Sequence, residues 1–312
     1  MSLHIAITGA TGFIGSNLID KLRRANYSIR ALTRTPKKHT YQGVTWITGT
    51  LQDTDALTEL CTNVDAVIHC AAVVRGNSLD YFRTTNVRGT QLLLQVLKQT
   101  GFCGKFLLLS SLAARYPDYS WYARSKKEAE TLAIDSGLPF TVTVFRPTAV
   151  YGPGDREMQP LFQLMKRGWL VVPSNEQIRI SLLHVDDLVT AIEHWLNISN
   201  VCGVFELDDG APNGFTWQDL VAIGETTWKR RIRKVLVPIA MLRLFAWVNL
   251  FLARILGYQA MLSPGKVNEI SHRNWVCNDA NILQQLDWIP EQKLADRIND
   301  AAIKYSLTRN LK

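Results

Sequence analysis

Through the first 200 residues, short apolar runs rich in β-branched residues alternate with longer segments whose apolar positions follow helical spacing. The short runs predict strands at His4–Thr8, Ser28–Thr33, Val44–Thr48, Ala66–Cys70, Lys105–Ser110 and Thr141–Phe145. The longer segments predict helices at Phe13–Asn26, Asp53–Cys61, Asp80–Thr100 and Trp121–Ser136. This alternation indicates βαβ units, and therefore a parallel sheet that helices cover on both faces.

The regular alternation ends after Pro147, where Gly and Pro cluster within Tyr151–Gly154 and the elements become shorter. We expect the chain to return to the sheet around Ile178–Leu183 and Val204–Leu207. From about Thr216 onward the apolar spacing predicts helices.

The predicted fold class is therefore α/β. Residues 1–150, with sheet returns near 178–207, are expected to form a doubly wound domain around the parallel sheet. Residues 151–312 are expected to form most of a smaller, largely helical lobe.

Composition narrows the classes of partner. The chain has 312 residues, of which 47% are hydrophobic and 20% charged, and its net charge is +8. This suits a globular protein with a substantial core. No surface interleaves basic and aromatic residues as nucleic-acid readers do, so we expect anionic small molecules and not nucleic acid as ligands.

The cysteines and the chain's apolar segments bear on location. The five cysteines are scattered without a C-x-x-C pattern, which predicts reduced thiols, no metal site and a cytoplasmic setting. The N-terminus enters a predicted strand at once and lacks the layout of a signal peptide. No run of 18 uncharged apolar residues occurs, so we expect no transmembrane helix.

Three glycines lie between the first predicted strand and the first predicted helix. Gly9 permits a tight turn, Gly12 lets the backbone approach a pyrophosphate, and Gly15 allows close packing of helix on strand. The diphosphate would then lie at the positive N-terminus of the helix that begins at Phe13. The spacing is G-x-x-G-x-x-G, and in this strand–turn–helix context it predicts a dinucleotide site.

The end of the second predicted strand bears on which dinucleotide binds. An acidic residue there would bind the ribose 2′-hydroxyl of NAD, whereas an arginine accommodates the 2′-phosphate of NADP. The segment Ala31–Lys38 contains no acid, and it places Arg34 at this point with Lys37 or Lys38 as a helper. This favours NADP(H), with NAD(H) as the alternative; a solvated basic loop is the other interpretation.

Tyr122 and Lys126 form the candidate chemical centre. A tyrosine and a lysine four residues apart on a helix point to the same side. An ammonium beside a phenol favours the phenolate, so a hydroxyl with a pKa near ~10 can exchange protons at neutral pH. Of the nine tyrosines, only Tyr122 has a lysine four residues on.

Several further motifs follow one another in an order typical of a known family. They are Thr8–Gly15, Val67–Ala72, Asn86–Thr90, Leu109–Ser111, Tyr122–Lys126, Arg146–Asp155, His184–Asp187 and Leu286–Pro290. In this the chain resembles the extended short-chain dehydrogenases/reductases of the NAD-dependent epimerase/dehydratase type. The resemblance implies a Rossmann fold with a C-terminal substrate lobe, and an NAD(P)-dependent enzyme.

The resemblance also implies roles for single residues. Tyr122 would give a proton to a carbonyl during reduction, and Lys126 would lower the pKa of Tyr122 and hold the nicotinamide ribose. Ser111 would bind the substrate oxygen, with Ser110 as the second choice. Asn86 would either help a proton relay or support the sheet through backbone contacts.

The residues expected to contact the cofactor extend beyond the glycines. They are Gly9, Thr11, Gly12, Phe13, Ile14, Gly15, Arg34, Leu51, Ala71, Ala72, Tyr122, Lys126 and Pro147. His69, His184 and Cys70 are expected to pack or form hydrogen bonds and not to catalyse or bind metal. Asp186 and Asp187 are expected to begin a helix.

Two departures from the family pattern affect the choice of substrate. Only 11 positions separate Ser111 from Tyr122, fewer than sugar epimerases usually have, which argues against a nucleotide-sugar substrate. Thr50 stands where many family members have an aspartate that contacts adenine, so either Thr50 or the backbone alone would hold the base.

A very apolar segment lies in the C-terminal lobe. Pro238 and Gly257 frame a predicted helix in which nearly everything except Arg243 and Arg254 is apolar, behind a basic lead-in from Lys229. We expect it to be too short and interrupted to span a bilayer. It could line a pocket, contact a membrane surface within 229–256, or pack in the lobe or against a second copy.

The leading hypothesis is therefore an oxidoreductase that interconverts a ketone and a secondary alcohol on a hydrophobic, sterol-like or lipid-like substrate. In this it resembles, loosely, the 3β-hydroxysteroid dehydrogenase-like branch. The alternatives are a nucleotide-sugar epimerase or dehydratase, and a dinucleotide-binding regulatory protein without catalysis. A homodimer through Asp80–Thr100 and Trp121–Ser136, and a cytoplasmic location with peripheral membrane contact, are further expectations.

Overall fold

The structure is a computed structural model, and it describes residues 3–37, 41–175, 177–199, 201–277 and 285–302. The strands are β1 His4–Thr8, β2 Ser28–Thr33, β3 Val44–Thr48, β4 Ala66–His69, β5 Lys105–Leu109, β6 Thr141–Pro147, β7 Ala149–Tyr151, β8 Trp169–Pro173, β9 Arg179–Ile180, β10 Leu182–His184, β11 Gly203–Leu207, β12 Arg233–Val237 and β13 Asn274–Trp275. The α-helices are α1 Phe13–Arg24, α2 Thr54–Cys61, α3 Leu79–Phe82, α4 Gly89–Gln99, α5 Trp121–Ile134, α6 Gln159–Lys166, α7 Val185–Asn197, α8 Trp217–Trp228, α9 Ile239–Leu256, α10 Pro264–Ser271 and α11 Leu294–Ala302.

Seven parallel strands form the central sheet in the order β11-β6-β5-β4-β1-β2-β3. The order reverses between β1 and β4, and ligands of such sheets bind beyond the carboxyl ends of the strands at this reversal. One apolar core joins the sheet to α1 and α7, and a second joins its other face to α2, α4 and α5. The predicted Rossmann-like α/β fold is confirmed.

One of the two expected sheet returns does not occur. Gly203–Leu207 joins the sheet as β11, in register with β6. Residues near Ile178–Leu183 instead form β9 and β10, which pair with β13 and β7 in two-stranded sheets. β11 therefore takes the place beside β6, and the residues near Ile178–Leu183 pair outside the central sheet.

The predicted helix Asp80–Thr100 is interrupted by a wider turn. Leu79–Phe82 and Gly89–Gln99 are α-helical, but Arg83–Arg88 between them forms a π-helical turn. Such turns often occur at functional sites. This one carries Asn86, which is 2% exposed.

The apolar helix α9 forms as its flanking residues predict. Pro238 precedes it, and Gly257 ends it in the left-handed conformation with φ of 73°. The expectation that it is too short to cross a membrane is wrong by length and composition, because its 18 residues have a mean hydropathy of 1.8. Only 17% of this helix is buried.

Candidate active site

The glycine turn after β1 has the geometry that a dinucleotide requires. Gly9 has φ of +69°, and a Cβ there would stand 2.6 Å from the backbone nitrogen of Ala71. A Cβ on Gly15 would stand well inside van der Waals distance of the Gly9 carbonyl oxygen. Both positions therefore require glycine, which agrees with the tight turn predicted at Gly9 and the close packing predicted at Gly15.

The N-terminus of α1 is left open to an anion. Gly12 is the N-cap of this helix, no side chain caps it, and its first turn contains no acid. A Cβ on Gly12 would meet only the Gly9 carbonyl oxygen, at 3.2 Å, and otherwise open space. Thr11 is exposed beside it. These features fit the pyrophosphate of a dinucleotide.

The other predicted cofactor residues divide into two groups. Ala71 and Ala72 are half-buried after β4, and the Ala71 N–H donates to Thr8 Oγ1 at 3.3 Å, so they lie beside the glycine turn. Leu51, by contrast, is only 6% exposed and belongs to the core, where it lies against Gly89. Its side chain is not brought to the cavity described below, so any contact of Leu51 with adenine would be through its backbone.

Arg34 follows the end of β2 and is exposed, without an ion-pair partner in the described part of the chain. Lys37, its predicted helper, lies instead over the Trp46 ring, with Nζ 5.3 Å from the ring centre. Lys38, the other predicted helper, lies outside the described residues. Arg34 therefore remains the one described cation that the prediction offers for a 2′-phosphate.

Ser111, Tyr122 and Lys126 come together at the carboxyl ends of β4 and β5. Ser111 follows β5, and its hydroxyl forms a hydrogen bond that lowers the pKa of Tyr122. Lys126, one turn along α5, is 4% exposed, and its Nζ donates to the Leu109 carbonyl at 2.5 Å. The Phe82 ring packs 6.3 Å from the Tyr122 ring and helps to orient it.

The electrostatics differ from the prediction for Tyr122. Burial raises the pKa of Tyr122 to about 12, against lowering effects from Ser111 and Lys266. Lys126 is not what lowers it, because the ammonium of Lys126 is directed to the Leu109 carbonyl. Burial in turn lowers the pKa of Lys126 to about 8. Tyr122 is thus a protonated phenol at neutral pH.

Ser110, the second choice for binding the substrate oxygen, has a different role. Its hydroxyl donates to the Glu130 carboxylate at 2.5 Å, and Glu130 is fully buried. Arg146 donates to the same carboxylate at 2.8 and 2.5 Å. Ser110 therefore belongs to a buried charge cluster below the site, and Ser111 is the serine beside Tyr122.

Asn86 holds the site together through its side-chain amide. Its Oδ1 accepts from the Val73 N–H at 2.8 Å, and its Nδ2 donates to the Val73 carbonyl and to Ser125 Oγ, at 3.1 and 2.9 Å. Ser125 in turn donates to the Tyr122 carbonyl. These contacts match the supporting role of the two that were predicted.

A cavity of about 590 Å³ opens in front of Ser111 and Tyr122. Phe13, Ile14 and Pro147 of the predicted cofactor set line one side of it. Thr148 also lines it, and its buried Oγ1 has no hydrogen-bond partner in the described part of the chain. A buried polar atom of this kind fits a bound polar molecule.

The C-terminal lobe also lines the cavity, and part of that lining is apolar. Trp247 and Leu250 of α9, with Ala260 and Met261 after it, form this part. The cavity is of the size that small-molecule sites in proteins have.

Sequence reasoning missed a group of charged residues in the cavity. Lys266 Nζ lies 2.9 Å from the Glu269 carboxylate, which also accepts from the Ser120 hydroxyl. Arg75 pairs with Glu157 at 2.8 Å on another side. Lys266 and Glu269 occupy a short helix after a Ser-Pro start, and such a helix carries no sequence signal for a site.

His69 and Cys70, which were expected to pack or form hydrogen bonds and not to react, lie in buried surroundings. His69 lies between the hydroxyls of Thr8 and Thr90, at 2.6 and 3.0 Å, and burial lowers its pKa to about 3. Burial also raises the pKa of the Cys70 thiol to about 12, which keeps it protonated at neutral pH.

Asp186 and Asp187, at the start of α7, have different hydrogen-bond partners. Asp186 lies in the first turn and pairs with Arg297 at 2.5 Å. Asp187 accepts instead from the backbone N–H groups of Glu291 and Gln292, at 3.0 and 2.9 Å. His184, the N-cap of α7, accepts from the Asp186 N–H at 3.2 Å. Among the described residues no group of His, Cys, Asp and Glu could hold a metal ion.

Comparison with known proteins agrees with this geometry. Residues 5–201 match the model of the NAD dependent epimerase/dehydratase family. The chain is 30% identical over 280 residues to the ceramide reductase of Caulobacter vibrioides, covering 88% of this chain and 86% of that protein. It is 26% identical to the UDP-glucose 4-epimerase of Vibrio cholerae, covering 73% and 78%.

Among solved structures, MoeE5 in complex with UDP-glucuronic acid and NAD matches 96% of this chain and 97% of its own, with a TM-score of 0.75 and 20% identity. That similarity establishes the fold. The chain belongs to the NAD-dependent epimerase/dehydratase family and is an NAD(P)-dependent enzyme of the extended short-chain dehydrogenase/reductase type.

Proposed function

We propose that the protein interconverts an apolar ketone and its secondary alcohol with NADP(H). The observation that carries this proposal is the shared cavity, which Ser111 and Tyr122 line together with the apolar side chains of Trp247 and Leu250 from α9. A cavity that combines apolar side chains with a proton donor suits a lipid-like molecule that carries one carbonyl at its polar end. The ceramide reductase relative is named for a lipid, which supports an apolar substrate here.

Each side chain of the site has a part in this reaction. A bound nicotinamide dinucleotide would supply the hydride. Ser111 holds the carbonyl oxygen by a hydrogen bond, and Tyr122 gives that oxygen its phenolic proton as the alcohol forms. The raised pKa of Tyr122, about 12, keeps the phenol protonated at neutral pH, so a proton is present for the alkoxide that forms on the substrate. Lys126 would hold the ribose beside the tyrosine.

Arg34 supports the preference for NADP(H). It is exposed at the end of β2, and no acid stands there to bind a ribose 2′-hydroxyl. The variant Arg34→Asp should lower the ratio of NADPH affinity to NADH affinity by about tenfold or more. Fluorescence titration with both cofactors measures this, with Arg24→Asp as the exposed control. An unchanged ratio in Arg34→Asp would refute the assignment to Arg34.

A nucleotide-sugar epimerase is the second candidate. The charged groups of Lys266, Glu269 and Arg75 in the cavity, and the UDP-glucose 4-epimerase relative, favour it. The short segment between Ser111 and Tyr122 argues against an epimerase. The helical turn Leu112–Arg115 takes up part of this segment, so little loop is left to bind a sugar nucleotide.

A substrate panel separates the candidates. Purified protein is given NADPH with a ketone-bearing sphingolipid or a 3-keto sterol in detergent micelles, and in parallel NAD with UDP-glucose. The proposal predicts oxidation of NADPH with an apolar ketone and no epimerised sugar. Sugar epimerisation would support the second candidate, and cofactor binding without either reaction would support a regulatory protein. The homodimer and the cytoplasmic location remain predictions, which size measurement and cell fractionation test.

A further inference from the structure

The α9 helix presents most of its apolar side chains outward. Of its 18 residues only Ala246, Leu250 and Ala253 are buried. The opposite side carries Leu244, Val248, Phe251 and Ile255, which are exposed by 63, 49, 64 and 64%. These four follow one another at intervals of three and four residues, so they form a continuous stripe, the docking face.

The helix is fastened to the protein along its inner side. Leu250 and Ala253 pack with Ala260 against Trp121. Asn77 donates to the Tyr258 carbonyl at 2.6 Å and accepts from the Ala260 N–H at 3.2 Å. The helix therefore lies along the surface of the domain, with the docking face turned away from it.

The charge of the protein is concentrated around this helix. Residues 226–268 contain eight Lys and Arg and no Asp or Glu, and the remaining residues carry 27 basic and 27 acidic side chains. The whole net charge of +8 thus belongs to the segment that contains α9. Arg243 and Arg254 lie on α9 itself, and both are exposed beside the docking face.

The strand that leads into α9 has the same character. β12 pairs with β8, and the outer face of this pair exposes Trp169, Val171 and Val235 by 42, 43 and 37%. The guanidinium of Arg233 lies 5.5 Å from the centre of the Trp169 ring. Tryptophan and arginine are residues that favour the boundary between lipid and water.

We propose that the docking face binds the surface of an anionic lipid bilayer, with α9 lying in the interface. A second copy of the chain is a poorer occupant, because it would bring two segments of the same strong positive charge together. Apolar side chains and flanking cations, by contrast, match acyl chains and anionic headgroups at once.

The position of α9 links this surface to the cavity. Trp247 and Met261 line the cavity, and they are also 60 and 41% exposed. If the substrate is an apolar ketone, as proposed above, it can pass from the bilayer into the cavity along these residues without crossing water. This link rests on the proposed function, but binding of the bilayer itself does not.

Vesicle binding tests the docking face without any substrate. The purified chain is mixed with vesicles of phosphatidylcholine alone or of phosphatidylcholine with phosphatidylglycerol, and bound protein is measured by flotation. We expect binding to the anionic vesicles, weakened by high salt. The double variant Leu244→Gln and Ile255→Gln should weaken this binding by about tenfold or more. A matched control, Ile134→Gln with Ile289→Gln, removes two exposed apolar side chains elsewhere and should bind as the wild type does.

Removing positive charges near α9 gives a second, independent test of vesicle binding. Lys229→Gln, Arg231→Gln and Arg243→Gln together should weaken binding to anionic vesicles by about a hundredfold. The control Arg24→Gln, Arg88→Gln and Lys98→Gln, all at exposed positions outside β8, β12 and α9, should weaken it far less. Circular dichroism of each variant confirms the fold.

Two results would overturn the proposal. One is wild-type protein that stays with neither type of vesicle. The other is a dimer in solution that the Leu244→Gln and Ile255→Gln variant converts to monomer, which would assign the docking face to a second copy.

Discussion

The two halves of the molecule form the cavity in different ways. In the half built on the seven-stranded sheet, close backbone contacts fix the site. In the C-terminal lobe, the side chains that line the cavity determine its properties. Gly9 and Gly15 have no room for a Cβ. Across the cavity, α9 is held by a few buried residues and exposes most of its apolar surface. We therefore expect backbone geometry to set cofactor binding in the sheet half, and side chains to set substrate preference in the lobe.

The largest expected effect tests the chemistry where the two halves meet. Tyr122→Phe removes the proposed proton donor and should lower kcat by about 10²–10⁴-fold, since general acid catalysis contributes that much. The affinity for NADPH should stay the same, because the ring and its packing on Phe82 remain. Tyr119→Phe, which removes another phenol hydroxyl at the cavity, is the control and should keep most activity. Loss of cofactor binding together with turnover in Tyr122→Phe would contradict the role assigned to Tyr122.

A smaller effect tests the pyrophosphate site expected in the sheet half. Gly12→Ala should raise the Kd for NADPH by about tenfold, or ~1.4 kcal/mol, because its Cβ would enter the space over the N-terminus of α1. Its melting temperature should change little, since only the Gly9 carbonyl oxygen is near. Gly15→Ala, three residues on, should instead lower the melting temperature strongly. Titration and thermal unfolding of both variants check this, and unweakened NADPH binding in Gly12→Ala would count against the pyrophosphate site.

A separate prediction for the sheet half concerns the pH dependence of its stability and not its activity. The unfolded chain takes up a proton on His69 near pH 6.5, whereas the folded protein does so only near 3. Stability should therefore fall as the pH falls through this window, by ~2 kcal/mol between pH 7 and pH 5 from His69. Denaturant unfolding of His69→Gln should lose this part of the pH dependence, and the surface control His4→Gln should keep it. Identical slopes in His69→Gln and the wild type would show that His69 does not titrate as described.

The sheet half could be predicted closely from the sequence. β1, β2 and β3 begin and end at the predicted residues, because each is a short apolar run between clear turn residues. The glycine spacing likewise predicted the conformation at Gly9, since only glycine adopts it without strain. Such local signals do not depend on distant parts of the chain.

What the sequence could not predict depends on contacts between distant residues. The charged pair Lys266–Glu269 reaches the cavity only because α10 packs near Ser120. The pKa of Tyr122 is raised and not lowered because burial outweighs its neighbours, and burial is a property of the folded chain. The π-helical turn at Asn86 has no sequence signature either.

The central claim, reduction of an apolar carbonyl, is tested most directly by a series of ketones of increasing chain length with NADPH. If α9 forms the substrate wall, kcat/KM should rise by about fourfold for each added methylene until the cavity is full, as expected for burial of ~0.8 kcal/mol per methylene. Leu250→Ala should flatten this rise, because Leu250 lines the wall. A flat series in the wild type, with turnover of UDP-glucose in its place, would contradict the account.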